Sequence, residues 1–298
     1  MHVFLVALVA GVTIGSLYGL IGIGYTVIFN ATRVFNLAQG DLVMLGIMSS
    51  YFTLDVLKWN EWETVVTVLP FVTAVAVLEE RTVVRPFLRW RDGSGGSGIG
   101  WFISTLGFSL VIETVVNLLF GTHSIVAIPS PLSIGGFRFG TVIIGYRQML
   151  VVGTFVVMII LLELFYGRTW TGRAMRATAE DRDAGSLTGI NPARMSASAF
   201  ALGGLLAAVA GLVIAPITFS DPSVGLNYTL KGFLALAIGG FGSIRGAIAG
   251  GLLLGVGEQV WDLYLGSNYV VVAGLVILLA ILALRPEGMF RITVARAV

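Results

Sequence analysis

The sequence predicts an all-α, polytopic integral membrane protein of about eight or nine transmembrane helices, with a short helix projecting from one loop. Three observations carry that expectation. Of the 298 residues, 56% are hydrophobic and only 11% charged, less than half the roughly 25% charged residues of a soluble domain. Apolar runs account for most of the length, and a bilayer core about 30 Å thick needs about 20 apolar residues per helix. The basic residues gather in alternate connecting segments, as membrane topology requires. One transmembrane domain over residues 1–298 follows, with its largest loop at 167–195.

The first apolar run extends from Val3 to Phe29 with no positive segment ahead of it, so it reads as a transmembrane helix (5–29) rather than a cleaved signal. The second helix (41–57) starts after Asn36-Leu-Ala-Gln-Gly-Asp41; Asn36, Gln39 and Asp41 there are either helix caps or part of an inner gate. Helices at 64–79 and 99–120 flank an 80–98 loop that contains the flexible segment Arg91-Asp-Gly-Ser-Gly-Gly-Ser-Gly98. Two more follow at 148–166 and 196–217. Those at 227–242 and 247–262 are short and separated only by Gly242-Ser243-Ile244-Arg245-Gly246. They are two crossings or a re-entrant pair enclosed by protein. Re-entry would bury Arg245, at about 2.5–3.5 kcal/mol for a charge at a helix centre, so two crossings are expected. A last helix spans 269–284.

If the 80–98 and 167–195 loops face the cytoplasm, that side holds 14 Lys and Arg residues and the other holds 4. The asymmetry places the N-terminus outside and the C-terminus in the cytoplasm. Small residues recur four apart at Gly11, Gly15 and Gly19, at Gly246 and Gly250, at Gly251 and Gly255, and at Gly203, Ala207 and Gly211. That interval lets helix backbones approach closely.

Several chemistries are excluded. There are no cysteines, and His2 and His123 are the only histidines, too far apart to suggest a metal site. The dispersed basic residues point to topology rather than nucleic acid. A nucleotide-binding loop needs Gly-Lys-Ser/Thr, yet the two lysines, Lys58 and Lys231, each follow leucine. No cofactor is expected. Glu113 reads as the one ionisable group well inside an apolar helix, with Asn117 one turn further on the same face. Such a group lines a path or pairs with a neighbouring helix.

Against this background residues 172–195, GRAMRATAEDRDAGSLTGINPARM, carry seven charges: Arg173, Arg176, Glu180, Asp181, Arg182, Asp183 and Arg194. Thr178 and Asp181 have capping-box spacing, Gly189 supplies a C′ stop, and Pro192 follows. The stretch parses as two short helices, one of them expected over 179–188, with Arg176 and Glu180 paired and Ala184 and Leu187 forming a small apolar face. So short a helix is marginal alone and needs either its own bundle or a soluble partner to pack on.

Asp183-Ala184-Gly185, three residues and then Gly189 resembles the Glu-Ala-Ala-x-x-x-Gly coupling motif of ABC importer permeases. The longer string GRAMRATAEDRDAGSLTGIN is similar to that of permeases of the high-affinity branched-chain amino acid importers, the LivH type. Asn36-Leu-Ala-Gln-Gly-Asp41 leading to Leu45-Gly46, GGFGSIRGAIAGGLLLG at 239–255, and Leu284-Arg-Pro-Glu-Gly288 agree in the same order, so the resemblance covers nearly the whole chain. Asp183 and Gly185 depart from the motif's Glu and Ala, and glycine loosens a helix by about 1 kcal/mol relative to alanine.

The resemblance implies a non-catalytic permease subunit in a bacterial inner membrane. It implies a second homologous permease, two cytoplasmic ATPases and an extracytoplasmic substrate-binding protein delivering branched-chain or other aliphatic amino acids. Arg173, Arg176, Glu180, Asp183, Ala184, Gly185, Leu187 and Gly189 would then contact an ATPase. Asn36, Gln39, Asp41, Glu113 and Asn117 are candidates for the translocation path. Close relatives of these permeases serve urea and other small solutes, so the solute stays open. A stand-alone carrier or channel is the alternative of another class.

Overall fold

A computed structural model describes residues 2–88, 100–121, 135–139, 142–218, 221–285 and 288–290. Helix α1 spans His2–Thr32, and α2 spans Gln39–Tyr51 with a π-helical extension over Phe52–Val56. Helix α3, Glu61–Glu79, continues through a π turn at Glu80–Val84 to complete an apolar segment ending at Leu88. Helix α4 spans Gly100–Phe120 and α5 spans Tyr146–Arg168, with strands β1 (Gly136–Phe139) and β2 (Val142–Gly145) before α5. The two short helices α6 (Trp170–Glu180) and α7 (Arg182–Leu187) follow. Helices α8 (Pro192–Ile214), α9 (Val224–Gly239), α10 (Ile244–Leu265) and α11 (Val270–Leu284) complete the chain.

Among the described residues five helices are long and apolar enough to cross a membrane. Helices α9 and α10 pass that test together but bend by 116° at their junction, and α11 is a shorter apolar helix of 15 residues. The protein is therefore all-α in its membrane part and polytopic, with five or six long apolar helices. The one sheet among the described residues is an antiparallel hairpin that pairs Gly136 with Gly145 and Phe139 with Val142; its two four-residue strands carry no clear sequence signal.

The expected 80–98 loop is shorter than its sequence suggests, because Glu80–Leu88 stays helical. Two adjacent acids at Glu79 and Glu80 look like a helix end, yet both are fully buried. Asn36 Nδ2 donates to Glu79 Oε2 at 3.0 Å, and Arg85 Nε lies 3.4 Å from Glu80 Oε1. Those partners keep the carboxylates inside, so the helix continues. At its other end the backbone N–H of Asn60 donates to Glu63 Oε2 at 2.9 Å, half of a capping box. Residues 91–98, the Gly/Ser segment, lie outside the described residues.

The glycine intervals pack as expected. A Cβ on Gly15 would stand 2.9 Å from both Gly251 O and Leu252 Cα, and one on Gly11 only 2.7 Å from Val256 Cα. The stripe of α1 thus lies directly on the backbone of α10. On the other side of the core, a Cβ on Gly46 of α2 would stand 3.2 Å from Gly211 Cα of α8. Hydroxyls in α1 need no other helix: Thr13, Ser16, Thr26 and Thr32 donate to carbonyls four residues back at 2.7–2.9 Å, which satisfies them without water.

Enlarging Gly15 should therefore separate α1 from α10. Overpacking a tight core costs about 1–3 kcal/mol, and here backbone rather than a pliable side chain stands in the way. Gly15→Val should lower the yield of monodisperse protein in fluorescence-detected size exclusion. Gly107→Ala, where a Cβ meets nothing within 4 Å, should match the parent.

Candidate functional site

Between α1 and α2 the chain is non-helical over residues 33–38, and yet Val34, Asn36 and Ala38 are fully buried. Arg33 turns the chain with a φ of 57°. Non-helical backbone inside a membrane protein is tolerated where neighbouring protein satisfies it, and here each polar side chain does so with a different element. Asn36 Oδ1 accepts from Ala38 N at 2.9 Å while its Nδ2 binds Glu79 of α3. Gln39 Nε2 donates to Gly203 O of α8 at 3.0 Å. Ser109 Oγ of α4 donates to Asp41 Oδ2. Thr229 of α9 accepts from Gly40 N at 3.1 Å and donates to Leu37 O at 3.0 Å.

The sequence candidates Asn36, Gln39 and Asp41 are thus brought into one buried cluster. A Cβ on Gly225 would collide with Asp41 Oδ1, so α9 also closes on the cluster. Glu113 and Asn117 lie one and two turns beyond Ser109 on α4 and are half-buried, which places them beside the cluster rather than in it. Among the described residues Gln39 Oε1 and Glu79 Oε1 are buried without a partner.

Glu113 is not the lone intramembrane ionisable residue. Lys231 of α9 pairs with Glu258 Oε1 of α10, and Tyr18 OH of α1 donates to Glu258 Oε2 at 3.1 Å. Lys231 Nζ also lies 5.9 Å from the centroid of the Tyr18 ring. The signal available in the sequence was one cation and one anion in consecutive apolar helices, 27 residues apart; neither looks paired when each helix is read alone.

The loop holds two short helices, as its sequence suggests, but they divide at a different residue. Thr169 Oγ1 accepts from Gly172 N at 3.0 Å and starts α6. Asp181, at φ −147° and ψ 115°, ends it, and Asp181 Oδ1 accepts from Ala184 N at 2.9 Å to start α7. The helix expected at 179–188 is therefore split at Asp181. Thr178 is not its cap: the hydroxyl is buried and donates to Ala174 O at 2.8 Å, leaving the role to the carboxylate three residues later. Gly189 closes α7 with a φ of +84°, and Ile190 N donates to Gly185 O at 3.1 Å. Asn191 Oδ1 then accepts from Ala193 N and Arg194 N at 3.0 and 3.3 Å to open α8.

Arg176 does not pair with Glu180; its guanidinium lies 5.4 Å from the Tyr166 ring centroid. Arg33 Nη2 donates to Ala179 O at 2.7 Å, tying the end of α1 to α6. Arg173, Glu180, Ala184 and Gly189 are exposed, and Leu187 is 89% exposed. Gly185 is buried, its Cβ position 3.7 Å from Thr178 Cα. Asp183 belongs to α7, but its side chain lies outside the described residues. The apolar pair Ala184 and Leu187 faces away from the chain's own bundle.

The family described as the permease component of the branched-chain amino acid transport system matches residues 7–282. The chain belongs to that family. Among curated relatives it is 35% identical to the high-affinity branched-chain amino acid transport system permease protein BraD of Pseudomonas aeruginosa, over 96% of this chain and 95% of that one. It is 32% identical to the corresponding LivH of Salmonella typhimurium, over 96% and 94%. Among solved structures, PsaBC from Streptococcus pneumoniae in complex with Fab superposes with a TM-score of 0.53 at 12% identity, over 97% of this chain and 94% of that one. That likeness concerns the fold alone.

In this branched-chain permease family member the Lys231–Glu258 pair should behave as a unit. Removing one partner of a buried pair costs about 3–5 kcal/mol, while replacing both by apolar residues is often neutral. Glu258→Leu should sharply lower the midpoint of thermal unfolding. Lys231→Met combined with Glu258→Leu should recover most of the loss. A double variant no better than the single one would refute the pairing.

Proposed function

We propose that this chain is the transmembrane permease subunit of an ABC importer for branched-chain or other aliphatic amino acids. It works with a second homologous permease, two cytoplasmic ATPases and an extracytoplasmic binding protein. The carrying observation is similarity over nearly the full length to BraD and LivH, permeases named for branched-chain amino acid transport. The exposed apolar face of α7 supports the arrangement, because a six-residue helix with Leu187 outward is a poor element for its own bundle and a suitable one for a docking partner.

In this reading residues 1–298 form a single permease domain that crosses the membrane nine times, with α9 and α10 as separate crossings. The N-terminus is outside and the α6–α7 loop is cytoplasmic. The exposure of Arg245 at the α9–α10 turn agrees with a turn at the membrane boundary, where a charge stays solvated. Ala184, Leu187 and Gly189, flanked by Arg173, Glu180 and Asp183, meet an ATPase subunit, while Gly185 packs on Thr178 of α6 with room for an alanine Cβ. Arg176 contributes to this surface through its position beside Tyr166.

Closure of the ATPase dimer on ATP moves α7, and a ligand-driven change of state requires a difference in free energy between the states. The Arg33–Ala179 contact transmits that movement to the end of α1. From there the buried segment 33–38 carries it to Asn36, Gln39 and Asp41, which with Glu113 and Asn117 border the solute path. The chain itself hydrolyses nothing; hydrolysis belongs to the ATPases.

Two experiments test the proposal. Ala184→Arg places a bulky charge at the α7 surface, and Gly189→Val forces a β-branched residue to positive φ, a strongly disfavoured backbone region. Both variants should insert and bind the second permease while losing ATPase co-purification and nucleotide-driven uptake in liposomes. Normal docking and uptake in both would reject the coupling role. Orientation is tested in this cysteine-free chain by single cysteines at Ser94, Ser186 and Ser133. An impermeant thiol reagent applied to intact cells should label only the third.

A further inference from the structure

At the end of the bundle that carries α6 and α7, a pocket of about 210 Å³ opens between four helices and a turn. Its lining includes Asn30 of α1, Tyr166 of α5, Arg176 of α6, Gly242 and Ser243 of the α9–α10 turn, and Arg245 of α10. Among the described residues no carboxylate lines it. Among the described residues neither guanidinium has an ion-pair partner. Arg176 rests on the Tyr166 ring, which fixes the side chain but leaves its charge unneutralised. Ser243 Oγ accepts from Gly246 N at 3.0 Å, so α10 starts at the pocket and directs the positive end of its dipole towards it. Asn30 Nδ2 is already engaged with Gly242 O at 2.9 Å, which holds α1 and the turn together as a rigid wall.

Two uncompensated guanidiniums around one cavity select an anion, and their forked donors match phosphate. The volume is below the roughly 300 Å³ where pockets for drug-sized ligands begin, which suits a headgroup better than a nucleotide. Tyr166 stands near the end of α5, an apolar helix whose opposite face, with Val157, Ile160, Leu161 and Leu164, is 42–52% exposed. A tyrosine at the end of an apolar helix marks the headgroup level of a bilayer, and basic pockets between helices there bind anionic lipid.

We propose that Arg176 and Arg245 hold the phosphate of an anionic phospholipid headgroup at the membrane boundary. The site needs no solute, ATPase or nucleotide. It would clamp the α9–α10 turn to α6, so the lipid acts on the same loop that docking uses, and Arg176 is the residue the two share.

The test is native mass spectrometry of the assembled transporter in detergent, equilibrated with equal amounts of phosphatidylglycerol and phosphatidylcholine. The parent should retain phosphatidylglycerol in preference, and Arg176→Gln with Arg245→Gln should reduce that retention by about tenfold or more, the scale of losing charge-assisted hydrogen bonds. Arg81→Gln, at an exposed arginine that does not line the pocket, should retain lipid like the parent. Arg176→Lys with Arg245→Lys keeps the charge but loses the forks and should fall between. If the Gln pair fails to assemble, the Lys pair and the parent decide: no preference in the parent, or full retention in the Lys pair, overturns phosphate recognition by these arginines. A separate arm adds excess inorganic phosphate. Displacement of the lipid would overturn the phospholipid as occupant in favour of a free anion; persistence of the lipid supports it.

Discussion

Apolar helices gain little by exchanging lipid for one another, so close van der Waals approach has to hold them together, and in this chain α1 and α10 achieve it through glycine. Gly11 and Gly15 rest on the backbone of α10 at distances that leave no room for a side chain. Everything near the far end of α1 inherits its position from that contact. Asn30 reaches Gly242, Arg33 reaches Ala179, and the buried segment that follows delivers Asn36, Gln39 and Asp41 to their partners. A slip along the glycine interface would disturb the α9–α10 turn, the α6–α7 loop and the start of α2 together.

The polar residues of the interior are few and are arranged as struts. Each spans two elements: Asn36 to α3, Gln39 to α8, Asp41 to α4, Lys231 to Glu258. A buried polar group is expensive without its partner and strengthened by low dielectric with it. Such struts specify which helices neighbour one another, something apolar packing alone does weakly. Glycine contacts therefore set distances, and polar contacts set identities. The unpartnered oxygens of Gln39 and Glu79 lie within this cluster, at the place where the proposed path borders the fold.

The sequence revealed those features whose signal is local. Small residues four apart marked the faces that meet, Gly189 announced a positive φ by its place after a helix and before Pro192, and the apolar runs located most helices. Features that depend on distant partners stayed hidden. Glu79 and Glu80 looked like a helix end because Asn36 and Arg85, which keep them inside, are not adjacent in the sequence to reveal it. Lys231 and Glu258 were each overlooked inside an apolar helix, since neither shows its counter-charge within a turn. At 172–195 two cap candidates, Thr178 and Asp181, competed, and only the packing of Thr178 on Ala174 and Gly185 excludes the first. Among the site residues, the α2 cluster was legible as a group of polar residues at a helix start, but not as one that binds four other helices.

The junction of α9 and α10 is completed by the last described stretch of the chain. Met289 N and Phe290 N donate to Ile238 O and Gly239 O at 3.0 and 2.9 Å, closing carbonyls that a sharply bent helix pair leaves open. Gly288, with a φ of 80°, brings that stretch back against Gly240. During synthesis these carbonyls have to wait until the final helix has emerged and turned back. The junction is then the last part of the fold to be sealed, and a chain interrupted before Gly288 would leave α10 hinged on an open turn, a form that quality control in the membrane could distinguish from the finished protein.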